Sequence, residues 1–247
     1  MKEKKPLLFR FINKTIKIFY RKVEVIGVEN IPSDPSIFVA NHVKMNGPLI
    51  SHYYFPKQKK IWCIGELMNR KEASKYCYQD FWSHKPKIIR PIYKLLSYVA
   101  GPLFWYVMSN AEAIPVYKDF RLTMTFRKTI QELNDNNHII IFPEHREQYN
   151  EIINDFMDKY IDVAKLYYKK EGKNLKFVPM YNAPLINKLI IGNPIEFNGE
   201  NDINEERKRI NDYLKEEITK LAKSLPRHKV IPYDNIRKRH FKWSKEK

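Results

Sequence analysis

Apolar and polar positions follow two periods along the chain, one of strands and one of helices. Short apolar runs closed by turn residues predict strands at 22–29, where Val23 and Val25 alternate with polar neighbours, and at 36–40, 61–65 and 113–117. Further strands are expected at 138–142, the clearest buried run, at 175–181 and at 189–197, which bends through Gly192-Asn193-Pro194. Between them, apolar positions spaced three and four apart predict helices at 7–20, 48–54, 66–78, 91–108, 121–134, 152–170 and 205–224. The helix at 152–170 would turn Ile153, Phe156, Tyr160, Val163 and Tyr167 inward, and the 79–87 loop would plug the core with Phe81 and Trp82. Strands alternating with helices predict an α/β fold, a mixed central sheet flanked by helices, preceded by an N-terminal amphipathic helix.

That first helix places Leu7, Leu8, Phe11, Ile12, Ile16 and Phe19 on one face and Arg10, Lys14, Lys17 and Arg21 toward the other. The pattern suits an anionic membrane interface and suits equally a helix packed on its own core. Residues 95–111 carry no charge but contain Gly101-Pro102 and fall short of a comfortable span, so a buried or membrane-dipping kinked helix is expected and no transmembrane helix. Arg10 and Lys14 interrupt the only early apolar run, and no signal peptide is expected. With 247 residues, 43% of them hydrophobic, the chain supports one sizeable core. The expected division is a basic amphipathic helix at 1–22, an α/β domain at 23–226 and a basic tail at 227–247. A formal charge of +17 implies an anionic partner: nucleic acid, acidic lipid, a phosphorylated substrate or an acidic carrier protein. Cys63 and Cys77 form neither a disulfide framework nor a zinc pattern, which fits a reducing cytoplasm.

Candidate chemistry gathers at residues 36–49, SIFVANHVKMNGPL. His42 falls at the carboxyl end of a strand and just ahead of a helix start, the place where α/β sheets bind ligands. The same position also suits a loop histidine that bonds nearby backbone. A second polar cluster, Pro143-Glu144-His145-Arg146, closes the strand at 138–142. No HExxH or DxD spacing accompanies these histidines, no serine lies in G-x-S-x-G context, and the seven glycines form no nucleotide-binding loop, so a metal, a serine nucleophile and nucleotide binding are not expected. The tail's His240, Phe241 and Trp243 among basic residues suit single-stranded nucleic acid by stacking, or anionic lipid at headgroup level.

Four short elements fall in order at strand ends: Asn41-His42, Ile114-Pro115-Val116-Tyr117-Lys118, Phe142-Pro143-Glu144 and Val178-Pro179. Their sequence and spacing over residues 23–197 resemble the glycerophospholipid acyltransferase family, which includes the lysophosphatidate acyltransferases. The resemblance implies transfer of a fatty acyl group from acyl-ACP or acyl-CoA, as co-substrate with no further cofactor, to the hydroxyl of a lysophospholipid. It makes His42 the general base and gives Glu144 the glycerol or a supporting role. Lys118 and Arg146 would hold the phosphate, with Lys44 adding charge at the helix start, and Leu95, Leu103 and Met108 would line an acyl slot. It also favours an anionic membrane surface over nucleic acid as the partner, with the protein cytoplasmic and peripheral at the inner face of the membrane.

The chain departs from that family's pattern in four places. Gly47 stands where the family has an Asp, Lys118 replaces an Arg, His145 replaces the Gly of FPEG, and Arg146 comes one position early. An imidazole without its orienting carboxylate is free to take the wrong tautomer, a loss of about 10⁴ in rate in serine proteases. Two expectations follow. In one the site works, with Glu144, Glu147 or Asn46 as orienter and with Pro48 first in its helix, Gly47 its cap. In the other the protein is non-catalytic and binds phospholipid or an acyl carrier.

Overall fold

The apolar runs become strands and most of the three-four spaced segments become helices, in the order α1 (Leu7–Phe19), β1 (Glu24–Ile26), β2 (Ile37–Ala40), α2 (Asn46–Tyr54), β3 (Lys59–Ile64), α3 (Ala73–Cys77), α4 (Arg90–Asn110), β4 (Ile114–Val116) and α5 (Leu122–Asn134). There follow β5 (His138–Ile141), β6 (Glu144–Gln148), β7 (Asn154–Phe156), α6 (Asp162–Glu171), β8 (Lys176–Ala183), β9 (Lys188–Ile191), β10 (Ile195–Glu196) and α7 (Ile203–Ser224). The structure is a computed structural model and describes residues 5–117, 119–233 and 236–246. It forms two units, one of Met1–Tyr20 with Trp62–Thr125 and one of Arg21–Ile61 with Phe126–Lys247.

In the second unit the strands run β1-β9-β8-β2-β5 and on to residues 59–61 of β3, with β10 beside β8. Within this sheet every pairing is parallel except those of β8 with β9 and β10, and β6 and β7 form a separate antiparallel pair. Ile37, Phe38, Val39 and Ala40 are fully shielded from solvent, as are Ile139 and Ile140 beside them, because a central parallel strand is covered on both faces. In register, Val39 lies opposite Ile141 on one side and Pro179 on the other. Pro179 has no N–H to give a ladder. It falls between the β10 pairs, at 176–177, and the β9 pairs, at 180–183, where the chain bends and the Gly192 N–H donates to its carbonyl at 2.9 Å. Helix α7 covers this sheet with Ile210, Leu214, Ile218 and Ala222, all fully buried at three-four spacing. Its first turn is capped by Asp202, which accepts from the Asn204 and Glu205 N–H groups.

In the first unit, residues 62–64 of β3 pair in parallel with β4. Helix α4 continues through Pro102, and α3 lies against it because Gly101 leaves no Cβ in the way: one built there would sit 2.5 Å from the Ser74 Cα. Phe81 packs on Phe104, and Trp82 stacks on Tyr93. Among the described residues no helix is long and apolar enough to cross a membrane.

Two segments differ from the sequence expectation. The helix expected at 152–170 is confined to α6, preceded by a single turn at Lys159–Ile161, and Phe156 sits in β7 instead. The cause is Asn150, whose Oδ1 accepts from the Ile152 and Ile153 N–H groups at 2.8 and 3.1 Å and turns β6 back into β7. The helix expected at 66–78 is broken into short turns about α3, and a π-helical turn at Tyr78–Trp82 runs from its expected end into the expected loop. In the described part of the basic tail, Val230 N–H donates to the Lys242 carbonyl, Ser244 N–H to that of His228, and Lys229 bridges Trp243.

Candidate active site

Asn41 follows the last residue of β2 and meets Asn182 near the end of β8. The Asn182 N–H donates to Asn41 Oδ1 at 2.7 Å, and each side-chain amide donates to the other residue's backbone carbonyl at 3.1 Å. Both asparagines are buried, and three mutual bonds fix two parallel strand ends together, with Asn182 Oδ1 left without a hydrogen-bond partner among the described residues. His42 is mounted on this platform.

The His42 backbone N–H donates to Glu144 Oε2 at 2.5 Å, and the other oxygen of that carboxylate accepts from the Asn154 N–H at 3.0 Å. Glu144 thus ties the end of β2 to the β6–β7 hairpin through backbone. Sequence reasoning gave its carboxylate the task of orienting the imidazole; here it holds the chain beneath the ring. Burial pushes its carboxyl up to about 7, against the two N–H groups that favour the anion. A group with its folded value raised binds its proton more tightly in the folded protein, so its contribution to stability is complete below the unfolded value and is lost as pH rises through the folded one. The urea midpoint of wild type relative to Glu144→Gln is therefore expected to fall between 4.5 and about 7, by roughly 1–3 kcal/mol of stability. Identical pH slopes for the two proteins would refute this.

After His42 the chain reverses through two residues with left-handed backbone, Val43 at φ 40° and Lys44 at φ 59°. For a β-branched residue that conformation is costly, on the order of 1–3 kcal/mol. The reversal brings the Asn46 N–H to the Val43 carbonyl and the Gly47 N–H to the His42 carbonyl, each at 3.2 Å. Helix α2 consequently starts at Asn46, with Met45 before it, so Gly47 is not the cap and Pro48 is the third helical residue. The Gly47 N–H is bonded within this turn and does not point outward as a free helix-terminal donor.

The same turn brings the Lys44 backbone carbonyl to the imidazole, which donates to it. Burial pushes the His42 imidazole down to about 4, and this hydrogen bond opposes the shift only in part. The ring is therefore neutral at neutral pH, with one nitrogen fixed as donor and the other an acceptor. Two aromatic edges flank it: the Phe142 ring centre lies 5.4 Å away at 71°, and that of Tyr233 at 6.1 Å and 77°.

The other sequence-predicted residues are distributed around or away from this centre. The Lys44 ammonium lies 5.9 Å from the centre of the Phe241 ring. Asn46 Nδ2 donates to the Val43 carbonyl at 3.3 Å and so braces the left-handed turn. Arg146 and Glu147 are exposed on β6. The Glu147 N–H donates to His145 Nδ1, and His145, Glu147 and Asp155 each bring a donor atom within 4.8 Å of the others. The Lys215 ammonium, 2.9 Å from Asp155, already neutralises that carboxylate. Lys118 lies outside the described residues.

Leu95, Leu103 and Met108 belong to α4 in the first unit. Leu95 is 71% exposed and Leu103 50%, with Met108 half-buried. Leu95 and Leu103 thus present apolar surface outward on α4. Three groups escaped sequence reasoning: the Lys44 carbonyl, which carries no side-chain signature, and Asn182 and Tyr233, which reach the site only through the fold.

No protein-family model and no curated protein matches the chain. The crystal structure of the 1-acyl-sn-glycerophosphate (LPA) acyltransferase PlsC from Thermotoga maritima is similar over 87% of this chain and 79% of that one, with a TM-score of 0.50 and 21% sequence identity. The mostly parallel sheet flanked by helices is the fold of that acyltransferase.

Proposed function

We propose that the protein is an acyltransferase of the lysophospholipid type, with His42 as general base. The observation that carries this reading is a neutral imidazole at a strand's carboxyl end with one N–H bound to the Lys44 carbonyl, which leaves the other nitrogen without a proton and so able to accept one. In the reaction the lysophospholipid hydroxyl gives its proton to that nitrogen as its oxygen bonds to the thioester carbonyl carbon. The C–S bond then breaks, and the imidazolium returns the proton to the departing thiolate. Lys44, with Lys118 and Arg146, would hold the acceptor's phosphate. Acyl-ACP and acyl-CoA are both anionic donors, and the surplus of basic residues favours either.

Membrane association at the inner face belongs to the same reading. On α1, Leu7, Leu8, Phe11, Ile18 and Phe19 are exposed among Arg10, Lys14 and Lys17; on α4, Ile92, Leu95 and Val99 are exposed near Arg90 and Lys94. An apolar face bordered by cations fits the headgroup boundary of anionic lipid, and the lipid's own chains would lie against α4. Phe11→Asp together with Leu95→Asp is expected to lower flotation with phosphatidylglycerol vesicles by about tenfold or more. Undiminished flotation would remove the membrane assignment for these helices.

The activity is tested by incubating the protein with lysophosphatidate vesicles and a labelled acyl carrier thioester and following the diacyl product. Product formation that depends on His42 supports the reading. Absence of product with other lysolipid acceptors and with a coenzyme A donor as well, vesicle binding being intact, would leave a protein that binds lipid without transferring anything.

A further inference from the structure

Residues 227–233 and 236–246 form a strap within the second unit. Its two arms, residues 228–230 and 242–244, run antiparallel, and the Arg227 guanidinium stacks 3.9 Å from the centre of the Trp243 ring. It is fastened to the sheet by buried polar groups: His228 Nε2 lies 3.0 Å from the Tyr181 hydroxyl of β8, and its Nδ1 lies 2.8 Å from the Pro226 carbonyl and 3.2 Å from Ser244 Oγ. Tyr181 and His228 are both almost fully buried, so breaking this latch would strand polar groups away from water.

The segment between the arms then reaches the two groups on which the proposed chemistry depends. Tyr233 presents its ring to the His42 imidazole on one side, with Phe142 on another. Phe241 lies under the Lys44 ammonium, at the far end of the residue whose carbonyl orients that imidazole. Three exposed cations, Arg237, Lys238 and Arg239, stand just before Phe241.

We propose that this strap is a working part of the His42 site, with Tyr233 as the positioning residue that confines the imidazole and excludes water from it, and Phe241 as the residue that sets the Lys44 ammonium toward an anionic head group. The proposal rests on the acyl-transfer reading for its kinetic consequences and on the strap alone for its effect on His42. Among the described residues, the groups facing the imidazole besides the strap are Phe142, the Lys44 carbonyl and the Glu144 carboxylate beneath its backbone; that carboxylate is held by the His42 and Asn154 N–H groups, and the Lys44 carbonyl accepts from the imidazole itself.

The test is an NMR titration of ring-labelled histidines in the full chain, with the His42 signal identified by its loss in His42→Gln, paired with acyl-transfer kinetics. Tyr233→Ala is expected to move the His42 titration from about 4 toward the ordinary 6.5 and Tyr233→Phe to leave it in place. With lysophosphatidate as acceptor, Tyr233→Ala should lower kcat by about tenfold or more with Tyr233→Phe near wild type, whereas Phe241→Ala should raise the acceptor KM by several-fold with little loss of kcat. A His42 titration unmoved by Tyr233→Ala overturns the proposal. So does equal loss in Tyr233→Ala and Tyr233→Phe, which keeps the ring. Because the titration needs no substrate, it decides the strap's role even where wild type transfers nothing, an outcome that counts against the acyl-transfer reading alone.

Discussion

Gly47→Asp, which introduces the acidic residue that the resemblance to the glycerophospholipid acyltransferases would place there, is expected to lower activity. A Cβ at position 47 would sit 2.4 Å from the His42 carbonyl oxygen and 3.0 Å from the Phe142 ring. The first of these is backbone held by the Gly47 N–H and cannot swing aside as a side chain could. Relief requires moving His42 or unwinding the first turn of α2. Overpacking of this kind costs about 1–3 kcal/mol. A shift of about 1 Å in the base is enough for roughly 10²-fold in rate. Gly47→Ala should carry most of the same penalty, which separates the steric cause from the added charge. Denaturation midpoints and acyl-transfer rates of both variants check this; a Gly47→Asp protein faster than wild type would show that the Lys44 carbonyl is not the orienter.

Removal of the imidazole has the other large effect. His42→Ala is expected to lower kcat/KM by about 10²–10⁴ while leaving vesicle binding intact, since the ring is asked only to move a proton. The pH dependence identifies the ring more closely. With its imidazole pushed down to about 4, wild type should hold its rate through the neutral range and lose it only in acid, where an unperturbed histidine would already have protonated near 6.5. An inflection near 7 would belong to the Glu144 carboxyl and should vanish in Glu144→Gln. A His42→Ala protein as active as wild type would end the general-base assignment.

Residues 36–49 show how far local sequence reaches. Strand β2 was legible because a strand buried on both faces admits only apolar side chains, and its ending was legible because Asn41-His42 breaks the run. The orienter was not, since a backbone carbonyl has no residue type and its direction depends on the left-handed Val43-Lys44 turn, a conformation a valine does not advertise. Strand β6 was missed for a related reason: EHREQ holds no apolar residue, and its pairing with β7 is dictated by the Asn150 turn and by Glu144.

The sequence by itself determined the α/β alternation, the buried parallel strands and the strand-end placement of His42 and Glu144, because burial and chain direction act on consecutive residues and leave a period. Tertiary structure alone decided what each group touches. His42 meets Glu144 across 102 residues, Asn41 meets Asn182 across 141, and Tyr181 meets His228 across 47. No local period records such contacts, since each is created only when separate strands are stacked to bury their apolar faces and their polar ends must then satisfy one another.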